Sequence, residues 1–343
     1  MIGWNQYSPI GLDLGIRSIK AVQTSGSGAS RILSGTALIP RKTALATLDS
    51  SEVAFLRETL DRRGFPGNDV VIAAPADKLR TELLELPPRS SGAPLEQMAF
   101  SELARAAKLE IGSFEMGRWD LPMAARTSGT TMMATALPHT DADALLDSLE
   151  DYGFNVVGID VSYCAVLRAC TPLLSGTGDT TAILDLGWSA ARLILVRGGV
   201  VVYQRTLPEC GGRALRESMV KQFEIDADLA DHFVRTTDSL DTTDRIEGAR
   251  GQIASLVERH AELLCAELRA SFAYTRHRYQ SGPIESLILV GGDAGTKALP
   301  VHLAQQLQLR VEVANLSKLL TGEPFTEGLD AGVFTIALGL ASY

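Results

Sequence analysis

GLDLGIRSIK, residues 11–20, sets an aspartate, Asp13, inside a short apolar run and ends that run on Gly15, within reach of Ser18 and Lys20. The flanks read as two short strands, IGLDL and SIKAV, joined by a glycine turn. A carboxylate in such a place either bonds the local backbone or faces a cation. A later stretch bears on the choice: AILDLGWSAARLILVRGGV, residues 182–200, repeats the order strand, Asp, Gly, variable residues, strand, turn that IGLDLGIRSIKAVQTSGSG follows. Two copies of that order indicate an internal duplication. They set two acidic glycine turns, around Asp13 and Asp185, at matching positions of two lobes that face each other across a cleft.

The spacing of apolar residues extends this frame along the chain. Val53, Leu56 and Leu60 in SSEVAFLRETLDRRG lie on one face of a helix, and DVVIAAP and LRTELLEL read as strands. PPRSSGAP, residues 87–94, resists both ladder and helix and reads as a boundary loop. Beyond it come a helix (LEQMAFSELARAAKLEIG), two strands (FEMGRWDLP and TTMMATALP) and a second helix, DADALLDSLEDYG. In that helix Ala142, Leu145, Leu146 and Leu149 share a face, Asp141 is the cap and Gly153 the stop. The organisation expected is therefore a first-lobe α/β core over 1–87, a small inserted α/β subdomain over 88–155 and a connection over 156–177. A second lobe over 178–330 and a C-terminal helix over 331–343, returning to the first lobe, complete it. Within the second lobe Leu215, Met219 and Phe223 form one helical stripe, and Ile253, Leu256, Val257, His260, Leu264 and Leu268 a longer one. SGSGAS, residues 25–30, is a polar linker, and TTDSLDTTDR, residues 236–245, a solvated loop.

Composition narrows the function classes. A chain of 343 residues that is 45% hydrophobic and 21% charged is long enough and apolar enough for two packed lobes. Its net charge of -9 argues against nucleic acid as the main partner. The four cysteines form no CxxC pair and the five histidines no HExxH spacing, so neither a disulfide framework nor a zinc site is indicated. The start, MIGWNQYSPIGLDL, lacks a basic segment followed by a long apolar run, and Asp185, Arg192 and Arg197 interrupt the most apolar later stretch. A cytoplasmic chain with indirect membrane contact is expected.

The glycine turns carry the chemistry. Phosphate needs converging donors free of side-chain obstruction, which a hairpin with Gly11 and Gly15 supplies from its backbone N–H groups, with Lys20 adding charge. Asp13 does not usefully touch phosphate; it suits Mg²⁺ or a metal-bound water. A third element, LILVGGDAG, ends a strand on Gly291 and Gly292, where backbone can approach a nucleoside. Neither a GxxxxGK[ST] loop nor a strand-to-helix GxGxxG turn is present.

Taken in order, GLDLGIRSIK, AILDLG, LPECGGRAL, LILVGGDAG and the terminal GVFTIALGLA resemble the actin-like ATPase superfamily, closest to the PilM proteins of type IV pilus assembly and their FtsA-like relatives. The resemblance covers nearly the whole chain, including DYGFNVVGIDVSYCAVLRAC before the second lobe. It implies an α/β, two-lobed actin-like ATPase fold with duplicated lobes and a small inserted α/β subdomain. It also implies a nucleotide site with ATP and Mg²⁺ as cofactors. In that site Asp13, Gly15, Arg17, Ser18 and Lys20 supply the first phosphate motif, and Asp185 and Gly187 the second. Gly211 and Gly212 lead into the nucleotide-facing helix, Gly291, Gly292 and Asp293 border adenosine, and Asp13 and Asp185 are the metal-side residues.

The implied partner is the cytoplasmic N-terminal peptide of a PilN-like bitopic membrane protein, held in a groove between the first lobe and the insert, with self-association as a second interaction. The implied place is the cytoplasmic side of the inner membrane, and the implied turnover is at most that of a slow ATPase. After Asp185 the chain departs from the family: Trp188, Ser189, Ala190, Ala191 and Arg192 stand where small and hydroxyl residues are usual, so a phosphate partner is lost and a bulky ring enters the space. Arg17 adds a donor fork to the first turn. Two other readings fit the superfamily, a small-molecule kinase and an FtsA-like filament. The first needs a carboxylate base beside a substrate pocket, and the second an amphipathic membrane anchor.

Overall fold

A computed structural model of the chain describes residues 7–26, 31–42, 48–122, 129–174, 180–236, 249–296, 298–320 and 331–343. Most of the SGSGAS linker and of the polar run after Thr236 lies outside the described residues.

Three sheets organise the molecule. The first has the order β3-β2-β1-β4-β8, from β1 (Ile10–Leu14), β2 (Ser18–Ser25), β3 (Ile32–Pro40), β4 (Asp69–Ala73) and β8 (Asn155–Asp160). The second has the order β11-β10-β9-β12-β13, from β9 (Thr181–Leu186), β10 (Ala191–Arg197), β11 (Val200–Leu207), β12 (Ser286–Val290) and β13 (Arg310–Val313). Both begin with three antiparallel strands and add two parallel ones, so the same strand order occurs in both. The third is a small sheet, β5-β7-β6, of β5 (Arg80–Leu86), β6 (Phe114–Asp120) and β7 (Thr130–Pro138).

Period-two alternation assigns the faces. Ile10 and Leu12 of β1 pack outward on α1 (Ser50–Arg62) and α3 (His139–Glu150) through Val53, Leu56, Leu60 and Leu149. Gly11 and Asp13 therefore take the opposite face. In β9, Ala182 and Leu184 pack outward on α7 (Ala249–Tyr279) and α8 (Ala298–Leu307), while Ile183 packs inward with α4 (Ser162–Cys170) and α10 (Thr335–Leu340). Asp185 shares the face of Ile183. Helices α4 and α10 pack on each other between the two large sheets, α10 on β1 and α4 on β11. The layers thus run α1/α3, first sheet, α4/α10, second sheet, α7/α8.

Two expectations need correction. The sequence puts the start of the insert at residue 88, within the PPRSSGAP loop, but β5 already belongs to the small sheet, paired along its length with β7. PPRSSGAP joins β5 to α2 (Leu95–Ala107) inside that unit. At the other end α3 packs with the first sheet through Leu145 and Leu149 and leads into β8. Ladder pairing across 44 or more residues is invisible to local turn signals, which is why the loop looked like a border. Asp141 does not cap α3; Pro138 holds the cap position, and the Asp141 carboxylate meets Lys78 Nζ at 3.0 Å.

The small sheet has α2 on one face, closing a core of Leu84, Leu86, Leu103, Phe114 and Met132. Its other face turns to the second sheet: Leu121 and Met133 join that core, and Trp119 Nε1 donates to the Val201 carbonyl of β11 at 2.8 Å. Among the described residues no helix is long and apolar enough to cross a membrane.

Candidate functional site

The site gathers where the strand ends and turns of the two large sheets approach one another. In the first sheet, register sets Asp13 of β1 opposite Lys20 of β2, and Lys20 Nζ lies 3.1 Å from Asp13 Oδ2 with both side chains mostly buried. Gly15 and Arg17 form the turn, and Ser18 opens β2. Two residues missed in the sequence hold this turn. Arg41 Nη1 donates to the Gly15 carbonyl at 3.3 Å, and the Arg41 backbone N–H donates to the Arg17 carbonyl at 3.0 Å. The Arg41 guanidinium in turn grips Glu52, at 2.8 Å from Nη2 to Oε2, with side chains only 1% and 4% exposed. Glu52 also completes the capping box of α1 with Asp49, which fixes helix and turn to one another.

In the second sheet, Asp185 of β9 stands opposite Arg192 of β10 and is 8% exposed. Gly291 (φ 93°) is in the left-handed region, and a side chain there would press on the Asp185 carboxylate and on the Leu186 backbone. Burial pushes the Asp185 carboxyl above its ordinary range; Arg192 and Lys20 oppose that, and the Asp13 charge adds to it. The two acidic turns are thus close enough to repel.

A raised carboxyl pKa is a cost of folding at neutral pH: the penalty is full above the folded-state value and vanishes as pH falls to the ordinary range, where both states are protonated. Asp185→Asn is therefore expected to raise the melting temperature at about pH 8, with the gain shrinking toward about pH 4. Calorimetry checks this; a variant that melts lower than wild type at about pH 8, with the deficit shrinking toward about pH 4, would show the charge to be stabilising.

The second turn and the helix after it bond each other. Gly211 precedes α5 (Gly212–Phe223), and the N–H groups of Gly212 and Arg213 donate to the carbonyls of Gly187 and Trp188 at 3.0 and 2.9 Å. The first two N–H groups of α5 are therefore engaged by the second turn. Gly292 lies in the turn after β12, and the Asp293 N–H donates to the Leu186 carbonyl at 3.2 Å. The Asp293 side chain accepts a two-pronged bond from Arg216 of α5, Nη1 to Oδ2 at 2.9 Å and Nη2 to Oδ1 at 2.8 Å. A Cβ on residue 212 would overlap the Asp293 carboxylate, so glycine there is what admits the pair.

Arg216 also donates from Nε to Asp231 Oδ1 at 2.7 Å, in α6 (Ala227–Thr236), and Arg17 Nη1 donates to the same oxygen at 3.1 Å. Both guanidiniums lie against the Trp188 ring, Arg17 at 4.5 Å and Arg216 at 5.3 Å from its centroid. Burial raises the Asp231 pKa, but hydrogen bonds from Arg17 and Arg216 outweigh it and bring the carboxyl down to about 2. Arg216 and Asp231 gave no signal in the sequence, because charged residues on amphipathic helices ordinarily face solvent.

This geometry tests the implied cofactor. Asp13, Lys20 and Asp185 at the phosphate end have suitable chemistry. Beside Gly212 and Asp293, however, the cavity bounded by Leu186, Leu215, His260 and Leu299 measures about 20 Å³, enough for one water. Among the described residues no three His, Cys, Asp or Glu side chains gather as a metal site, and Asp13 is paired with Lys20. In this arrangement the place beside Gly212 and Asp293 has no room for a nucleoside, and the Asp13 carboxylate is taken by Lys20.

The family model for the type IV pilus assembly protein PilM matches residues 11–342. The chain belongs to the PilM family. The match takes in both large sheets and the small sheet of this PilM-family protein. A chain of a PilM-PilN type IV pilus biogenesis complex is 22% identical, with 98% of each chain covered and a TM-score of 0.78. Ethanolamine utilization protein EutJ from Carboxydothermus hydrogenoformans is 16% identical over 98% of this chain and 89% of that one, at 0.57. MreB 5 of Spiroplasma citri, solved bound to AMPPNP, is 13% identical over 98% and 95%, at 0.51. These similarities show that the chain shares the fold of those proteins. None of the curated proteins matches the chain.

Proposed function

We propose that this chain is a cytoplasmic scaffold of type IV pilus assembly that holds the N-terminal tail of a PilN-like inner-membrane protein and is attached to the membrane through it. The observation that carries this reading is the extent of the family match, residues 11–342, which includes the small sheet as well as the two large ones. The similar chain at a TM-score of 0.78 comes from a PilM-PilN complex, which supports the choice of partner. In this reading the two large sheets are the cores of two lobes that arose by duplication, and the small sheet is an insert between β4 and α3. The nucleotide crevice is inherited from the fold, and binding the tail does not require ATP and Mg²⁺ in it.

The tail lies between the first lobe and the insert. On the first lobe β8 is the outer strand of its sheet and Val157 is 46% exposed, so backbone groups and an apolar side chain are available to an extended peptide. A fluorescently labelled tail peptide of the PilN-like protein from the same organism tests the placement by anisotropy. Val157→Asp is expected to weaken binding at least about tenfold by setting a charge in an apolar contact, with the melting temperature unchanged. Equal affinity in a folded Val157→Asp protein would reject β8 as the docking edge.

A further inference from the structure

The side chains that fill the crevice also join its two walls. Arg17 belongs to the β1-β2 turn of the first sheet, whereas Trp188, Arg216, Asp231 and Asp293 belong to the turns and helices around the second. Arg17 reaches Asp231, 214 residues away, and lies on the Trp188 ring. Arg216 ties Asp231 to Asp293 and carries that link to the place where a nucleoside would enter. We infer that the crevice is latched by the chain itself: Arg17, Trp188, Arg216, Asp231 and Asp293 hold the two lobes closed without nucleotide, and a nucleoside phosphate must break the Arg216–Asp293 pair to enter.

Physical chemistry supports each link. Arg216 is 4% exposed at its side chain and has carboxylates at both its Nε and its Nη edges, so its charge is buried and compensated. Asp231 receives donors from Arg17, Arg216 and Arg235, the last at 3.1 Å, and unites both lobes at one carboxylate. The Arg17 link is the weakest. At 45% exposure its ion pair with Asp231 is worth little alone, and the stacking on Trp188 adds to it. That makes Arg17 the place to open the latch without harming the fold. A ligand that binds only the open form has its apparent affinity reduced by the fraction of molecules that are open. The latch is independent of the tail-binding reading, since β8 and the crevice are separate places in the fold.

Pulsed electron resonance between spin labels on Ile32→Cys and Val301→Cys tests this directly. Both positions are exposed and outside the crevice, one on each lobe. Native thiols do not interfere: Cys170, Cys210 and Cys265 are buried, and burial pushes the Cys164 thiol up to about 12. The labelled but otherwise wild-type protein is expected to give one narrow distance distribution, unchanged by millimolar Mg²⁺-AMPPNP. Adding Arg17→Ala is expected to broaden it toward longer distances. Either of two results overturns the latch: a distance in the otherwise wild-type protein that shortens on nucleotide addition, or an Arg17→Ala protein with unchanged distances.

Discussion

Replacing Glu52 with alanine is expected to destabilise the protein by about 3–5 kcal/mol, the cost of breaking a buried ion pair from one side. The Glu52 carboxylate accepts from Arg41 Nε and Nη2, and neither side chain has appreciable contact with solvent. Removing it strips the guanidinium of these bonds while leaving its charge buried. The same change deletes half of the α1 capping box, worth up to about 1 kcal/mol more. Equilibrium denaturation measures the loss. The double variant Arg41→Met/Glu52→Leu is expected to lose clearly less than Glu52→Ala, because no buried charge remains. A single variant within about 1 kcal/mol of wild type would show that the pair contributes little.

Gly11→Ala is the second large effect, and its cause lies far from any phosphate. Residue 11 sits in β1, paired with Val22 and Val71, and a Cβ there would run into the backbone of α10 at the Ala337 carbonyl and the Ala341 N–H. Overpacking ordinarily costs roughly 1–3 kcal/mol. This site should lie at the top of that range or above it, since both obstacles are main chain and α10 is wedged between β1 and α4. A thermal melt and hydrogen exchange over 335–341 together check it, with the loss of protection concentrated in α10. Full protection of α10 in a stable Gly11→Ala protein would contradict the packing described. The missing side chain of Gly11 is thus what admits the helix.

What the sequence made legible was whatever is local or periodic. The hairpin at Asp13, its counterpart at Asp185, the inward stripe of α1 and the apolar face around Leu215 and Met219 all follow from spacing two or about 3.6 residues apart. The repeat of strand, Asp, Gly pointed to two similar sheets because it carries register: with Ile10 and Leu12 facing one way, Asp13 must face the other. Long-range pairing was not legible. β5 looks like the end of the first unit until β7, some 50 residues later, takes it as a partner. The closure of the crevice was equally hidden. Arg216 on α5 and Asp231 on α6 read as solvent-facing charges, and only the fold brings Arg17 and Asp293 to them. Trp188 was visible as a bulky departure; its use as a platform for two guanidiniums was not.

The central claim, that this PilM-family chain grips the cytoplasmic tail of a PilN-like protein without needing nucleotide, is tested most directly by calorimetric titration of the full chain with that tail peptide. One-to-one, saturable binding with micromolar affinity is expected in nucleotide-free buffer, unchanged by Mg²⁺-ATP. Heats no larger than dilution up to millimolar peptide, or binding that appears only when Mg²⁺-ATP is added, would contradict it.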